Sequence, residues 1–272
     1  MFKRFLFLVI KMRLLRFVAV LATMLICFHG NAAEVKYSKN LAGVFDDYSG
    51  VMAIKELNAD CILVSDKIRA AKRFSPASTF KIAHSLIALD QGIVKNIDEI
   101  FFRYDGHSQY FLKSWQKDMG LKEAVQTSNV EAFKVMAVKI GNERMQRSLT
   151  LFDYGNYRIG SDVTSFWLDG TLQISALEQI NFLEKLLNGQ LPCSKDAQKE
   201  VENILKLEAN DKYVLYGKTG LSSGPNQIGW FVGFIRKESQ TYIFALNIDM
   251  NENTPYALRI DLVKKGIDKL DL

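Results

Sequence analysis

The sequence predicts an α/β (α+β) fold: one antiparallel sheet built from both ends of the chain, flanked by helices, with an all-helical region inserted between its halves. Three observations carry this. Runs of strand period occupy residues 50–66 and return beyond residue 210. Between about residues 75 and 203 apolar residues recur instead at spacings of three and four. Finally, no repeat, low-complexity tract or Pro/Ser-rich linker divides the 272 residues, and a hydrophobic content of 48% suffices for one large core. Disorder, collagen and a small disulfide scaffold are excluded by the same figures.

Residues 1–33 read as a secretory signal: a basic start, the apolar run 17–28, then Gly30, Asn31, Ala32 and Ala33, with cleavage expected after residue 32 or 33. The run is shorter than the roughly 20 residues of a bilayer span, so export to the periplasm is expected, with no membrane span after cleavage. Met12 offers an alternative start, and bulky Ile26 before Cys27 argues against a lipid anchor. Lys3, Arg4, Lys11, Arg13 and Arg16 all lie in this leader, which has no acidic residue. Removing those five from 35 basic residues leaves 30, equal to the 30 acidic ones, so the formal charge of +5 gives no case for a nucleic-acid partner.

Residues 34–272 form the main domain, its sheet part about 34–70 plus 205–272 and its helical part about 71–204. A short helix is predicted over 41–48, then strands 50–57 and 61–66 joined by the turn Asn58-Ala59-Asp60. Helices follow over 82–94, 129–140 and 176–187, with Gly-, Asp- and Asn-rich loops between. Strands return over 213–219, 229–237 and 241–250, and Thr254-Pro255 reads as the cap and first turn of a last helix. Cys61 and Cys193 lack framework spacing and are expected as buried free thiols. No C-x-x-C, H-E-x-x-H or histidine cluster supplies a metal site.

The first chemical candidate is Ser78-Thr79-Phe80-Lys81, after Ser75-Pro76 as helix cap and first residue. Spacing of three places Ser78 and Lys81 on one helix face, with Ser78 in the first turn, where the helix dipole favours developing negative charge. Lys81 can act as base toward this serine if low polarity keeps its amine neutral or lets it take up CO2 as a carbamate. A second S-x-x-K, Ser114-Trp115-Gln116-Lys117, is a control, because Asp118 and polar neighbours keep that lysine charged and solvated. Ser128-Asn129-Val130 opens a later helix and Lys218-Thr219-Gly220 ends a strand. Such a set suits acyl transfer from an amide: Ser128 relays a proton to the leaving nitrogen while Lys218 and Thr219 hold an anionic substrate group. Gly217-Lys218-Thr219 also echoes a phosphate loop, but Lys212 stands where that loop's first glycine belongs.

Through these motifs, with Tyr154-Gly155-Asn156 and Phe166-Trp167-Leu168, the chain resembles the class D, oxacillinase-type serine β-lactamases along its whole mature length. The resemblance implies the serine β-lactamase/penicillin-binding-protein-like fold, a penicillin-type β-lactam as substrate, antibiotic resistance, and no cofactor beyond CO2. It implies N-carboxylation of Lys81, with Trp167 donating to the carbamate and apolar Val130 favouring the neutral amine. Arg259 matches the family's carboxylate-binding arginine, and the N–H groups of Ser78 and Leu221 its oxyanion hole. The residues also allow plainer roles: Trp167 as core, Tyr154-Gly155-Asn156 as a structural turn, Arg259 as a solvated helix charge. Competing readings are a β-lactam sensor holding a stable acyl adduct, disfavoured by the lack of a tether beyond the leader, and a D-alanyl-D-alanine peptidase, disfavoured by the Y-G-N and F-W-L segments. A Ser-His-Asp esterase would have only His84 and His107, and His84 lies on a different helix face from Ser78. Asp169 is left without a deacylating role. Oligomeric state is not legible.

Overall fold

A computed structural model describes residues 33–222 and 227–272. The expected leader therefore lies outside the described residues, Ala33 excepted. Seven strands form one sheet in the order β1-β3-β2-β7-β6-β5-β4, comprising β1 Glu34–Tyr37, β2 Gly50–Glu56, β3 Cys61–Val64, β4 Lys206–Ala209, β5 Val214–Leu221, β6 Gln227–Lys237 and β7 Gln240–Met250. β2 lies beside β7, antiparallel, with Gly50 opposite Ile248 and Glu56 opposite Tyr242. This pairing joins the two ends of the chain in one sheet, as expected from the sequence.

Alternation along β2 separates the two faces of the sheet. Met52 and Ile54 enter the main core with Leu41, Phe231, Leu246, Ile248, Leu262 and Val263. That core is closed by helices α1 Lys39–Ala42 and α9 Leu258–Lys269. Lys55 points the other way, where its Nζ meets Glu184 Oε2 at 2.5 Å on helix α7. The remaining helices are α2 Lys67–Ala71, α3 Lys81–Asp90, α4 Leu121–Gln126, α5 Val130–Ile140, α6 Asn142–Leu151, α7 Ala176–Leu187 and α8 Lys195–Ile204. α3 packs on α5 and α8, which makes it the centre of the helical region.

Several boundaries depart from expectation. The first helix spans Lys39–Ala42 rather than 41–48, because the Ser38 hydroxyl caps it at Leu41 N. Asp66 does not end a strand; its carboxylate caps α2 through Ile68 N and Arg69 N. The last helix starts at Leu258, and Thr254 Oγ1 is bonded to Asn251 instead of capping it. β1 and β4 are short, largely exposed edge strands with too little apolar alternation to be predicted. The helices expected over 129–140 and 176–187 hold closely, as α5 and α7, and their caps show why. Ser175 and Glu178 form a reciprocal capping box at α7, and Asn129 caps α5 through Ala132 N. Cys61 and Cys193 are free thiols, half-buried rather than buried, and burial pushes the Cys193 thiol up to about 12.

Candidate active site

Ser78 sits in a 3-10 turn, Ala77–Phe80, that leads into α3. The expected cap geometry is therefore corrected: Ser75 does not cap the helix, and its hydroxyl donates to Trp167 O at 2.9 Å. Ala77 N donates to the same carbonyl at 2.9 Å, and Trp230 Nε1 donates to Ser75 O at 2.9 Å. These three bonds fix the turn although Ala77 holds a left-handed φ of 48°, a conformation costing about 1–3 kcal/mol. Lys81 Nζ donates to Ser78 Oγ at 3.0 Å. The lysine is only 1% exposed, with Nζ 4.9 Å from the Phe133 ring centroid. Burial, and then the nearby charge of Lys218, hold its amine well below the usual lysine range.

A second hydroxyl–lysine pair faces the first. Ser128 follows α4 with φ 56°, another left-handed non-glycine residue, and its Oγ accepts from Lys218 Nζ at 3.0 Å. Lys218 also donates to Thr219 O at 3.0 Å. Burial, helped by the Arg259 charge, lowers its amine to about 7. β5 comes close enough because residue 220 is glycine: a Cβ there would lie 2.9 Å from Pro76 O and 3.3 Å from Ser78 N. Arg259, from α9, is buried and not a solvated charge; its guanidinium donates to Gly220 O at 2.6 Å and to Tyr256 O at 3.0 Å. Ser78, Ser128, Val130, Thr219, Leu221 and Arg259 line one open cleft of 580 Å³.

The penicillin binding protein transpeptidase domain family matches residues 45–265. The chain is 37% identical over 222 residues to β-lactamase OXA-10 of Pseudomonas aeruginosa, covering 80% of this chain and 82% of that protein. It is 38% identical over 237 residues to β-lactamase OXA-48 of Klebsiella pneumoniae, covering 86% and 89%. Among solved structures, FUS-1 (OXA-85), a class D β-lactamase from Fusobacterium nucleatum subsp. polymorphum, superposes with a TM-score of 0.83 at 39% identity, covering 87% of this chain and 99% of that one. The chain belongs to the class D β-lactamases. Enzymes of this family hydrolyse β-lactams through a serine acyl-enzyme, and this chain is such a hydrolase.

Within this class D β-lactamase the remaining motif residues divide between cleft and frame. Trp167 is fully buried, stacked edge-on to Phe166 at 5.1 Å, and its indole Nε1 has no hydrogen-bond partner among the described residues. Tyr154 packs edge-on against Phe80 at 5.5 Å and Phe182 at 5.0 Å, and burial drives its phenol upward. Gly155 and Asn156 tie down the segment that follows Trp167. A Cβ at Gly155 would lie 2.1 Å from Gln173 O, while Asn156 bonds Gln173 N, at 3.0 Å, and Thr171 O, at 3.0 Å. Their geometry is that of a structural clasp. Asp169 accepts from Ser165 Oγ and Thr171 N and so closes its own turn.

Of the control tetrad only Trp115 lines the cleft; its serine and lysine do not. Ser114 is exposed in the short turn Lys113–Trp115, and Lys117 pairs with Glu123, not with Asp118, which binds Arg103 and Tyr104 N. Sequence reasoning gave no individual lining role to Phe111, Trp115, Leu168 or Tyr256, although Leu168 lies in the Phe166-Trp167-Leu168 segment and Phe111 and Trp115 in the 95–118 stretch expected to bear on substrate range. It also passed over the surroundings of His84. Measured from Lys81 rather than Ser78, that histidine stands at a spacing of three, on the same helix face.

Proposed function

We propose that Ser78 is the acylated serine, Lys81 its base, Ser128 and Lys218 the proton relay, and Lys218, Thr219 and Arg259 the anchor for the carboxylate of a penicillin-type β-lactam. The observation that carries this reading is the pair of 3.0 Å hydroxyl–lysine contacts at one cleft, both lysines buried and both weakened as bases toward neutrality. Ser78 Oγ gives its proton to the Lys81 side chain and attacks the lactam carbonyl carbon. The N–H groups of Ser78 and Leu221 receive the developing oxyanion. As the C–N bond breaks, Ser128 passes its proton to the nitrogen and is resupplied by Lys218, whose value near 7 keeps both its protonation states populated at neutral pH. Lys81 passes the proton it holds through the cleft to the depleted Lys218, takes another from the water that attacks the ester carbon, and hands it to Ser78 Oγ as the C–Oγ bond breaks, which restores the free enzyme.

The surroundings of Lys81 fit N-carboxylation: an amine held toward neutrality reacts with CO2, and the unpartnered Trp167 Nε1–H is a donor in a dry site. A carbamate on Nζ would supply a carboxylate base for both half-reactions. No metal enters this scheme, as expected of serine enzymes of the family. The sheet part, residues 34–70 with 205–272, supplies Lys218 and Arg259, while the helical part, 71–204, supplies Ser78, Lys81 and Ser128. Residues 1–33 would direct export to the periplasm, with cleavage after residue 32 or 33, which N-terminal sequencing of the exported protein tests. No helix among the described residues is long and apolar enough to cross a membrane.

A burst and steady-state assay with a chromogenic β-lactam tests the reaction, and nitrocefin turnover with and without bicarbonate, alongside carbon-13 NMR of Lys81, tests the base. Turnover restored by bicarbonate is expected. Full activity with no carbamate signal in CO2-free buffer would leave the unmodified lysine as base.

A further inference from the structure

His84 is a buried titratable group that the scheme above does not use. It is fully buried on α3, and neither ring nitrogen has a hydrogen-bond partner among the described residues. Its ring centroid lies 5.4 Å from that of Trp167, edge-on, and 5.2 Å from that of Phe133, the ring over which the Lys81 amine sits. Helical side chains lean toward the N-terminus of their helix, so His84 leans over the turn that carries Lys81. Burial, and then the Lys81 charge, lower the imidazole to about 3, which keeps it neutral at working pH, with one N–H donor and one lone pair.

Two unsatisfied donors beside one buried amine need an explanation, because an unpaired buried polar group costs about 1–3 kcal/mol. Packing alone would be served by phenylalanine, as at Phe80 and Phe133 next to it. An anion formed on Lys81 would use both donors. Carboxylation joins the Nζ lone pair to the carbon of CO2, moves one C=O electron pair onto oxygen and releases one N–H proton to solvent. The resulting carboxylate has two oxygens, and Trp167 Nε1–H is a single donor. We infer that His84 is a positioning residue for the carboxylated Lys81, its imidazole N–H being a second buried donor to that group beside Trp167. This rests on the carbamate reading of Lys81.

The test is titration with carbon-13-labelled CO2, read by the Lys81 carbamate signal, on the wild-type chain, His84→Phe and His84→Asn. His84→Phe keeps ring packing and removes the donor, so CO2 affinity should fall about tenfold or more, while His84→Asn, which keeps an N–H, should recover most of it. Nitrogen-15 NMR of the wild-type His84 ring decides the matter even if a variant misfolds: the protonated nitrogen should shift when CO2 is added. A folded His84→Phe protein with wild-type CO2 affinity, or a ring signal indifferent to CO2, overturns the role of His84 while leaving the carbamate intact. A wild-type chain with no carbamate signal overturns both.

Discussion

Ser78 and Lys81 share their spacing and residue types with Ser114 and Lys117, yet the two tetrads sit in opposite solvents. Lys81 is 1% exposed, faces the Phe133 ring and contacts the serine hydroxyl at 3.0 Å. The Lys117 side chain is 55% exposed and pairs with Glu123. A carboxylate partner and water both stabilise an ammonium, whereas burial beside another lysine destabilises it. The lowered basicity of Lys81 therefore comes from burial and from Lys218, and the four-residue pattern only brings a hydroxyl and an amine within reach.

The sharpest way to break this comparison is to remove each serine. Ser78→Ala should abolish covalent labelling by penicillin and turnover, while Ser114→Ala leaves both nearly intact; intact-mass spectrometry after a timed exposure reads the difference. Labelling of Ser78→Ala at the wild-type rate would transfer the nucleophile elsewhere. Removing each lysine comes next. Lys81→Ala should still acylate slowly and then stall as the acyl-enzyme, because the same base serves both steps. Lys117→Ala should turn over normally. A burst with no steady state is the expected trace for the first variant, and steady turnover by it would refute the shared base. A smaller effect is expected at the substrate carboxylate: Arg259→Ala should lower kcat/KM on several penicillins by about 1.5–3 kcal/mol, one charge-assisted contact. Unchanged kinetics would reduce Arg259 to its two bonds to backbone carbonyls.

The control tetrad also shows what was legible in the sequence. Polarity around Ser114 and Lys117 was readable, but their salt-bridge partner was not, since Glu123 lies in the next helix and chain neighbour Asp118 turns away to Arg103. Likewise the positions of the main strands and of the helices over 129–140 and 176–187 followed from period, whereas the caps at Ser175 and Asn129 were seen only in the structure. Ser75 deceived for a physical reason: its hydroxyl serves Trp167 O, 92 residues away, in a turn held by long-range bonds. Ser78, Lys81, Ser128 and Lys218 could be singled out from sequence because each lies in a compact motif, and the fold brings them together in two hydroxyl–lysine pairs. Trp167 and Arg259 could be assigned only through resemblance, and His84 became informative only when the rings around it were seen together.

The last prediction concerns stability, where the two kinds of lysine should differ least but with a distinct dependence on pH. Lys218 titrates near 7 in the folded protein, against an ordinary value of 10.5, because burial, reinforced by Arg259, penalises its charge. Below pH 7 folded and unfolded chains both hold that proton, and the folded state bears the full cost of the buried ammonium. Between about 7 and 10.5 the unfolded chain binds more protons than the folded one, so wild-type stability from this group rises with pH. Lys218→Met removes the group. It should therefore help stability most at pH 6, and that advantage should fall by about 1.4 kcal/mol per pH unit above 7 as pH is raised toward 9, while β-lactam turnover is lost. Lys117→Met breaks only an exposed pair and should change stability by less than about 0.5 kcal/mol, without that shrinking gain. Urea unfolding of the two variants and the wild type at pH 6, 7.5 and 9 measures both curves. A Lys218→Met effect that stays constant from pH 6 to 9 would mean that Lys218 is held charged in the folded site, and the buried tetrad would then owe its reactivity to something other than a weakened pair of amines.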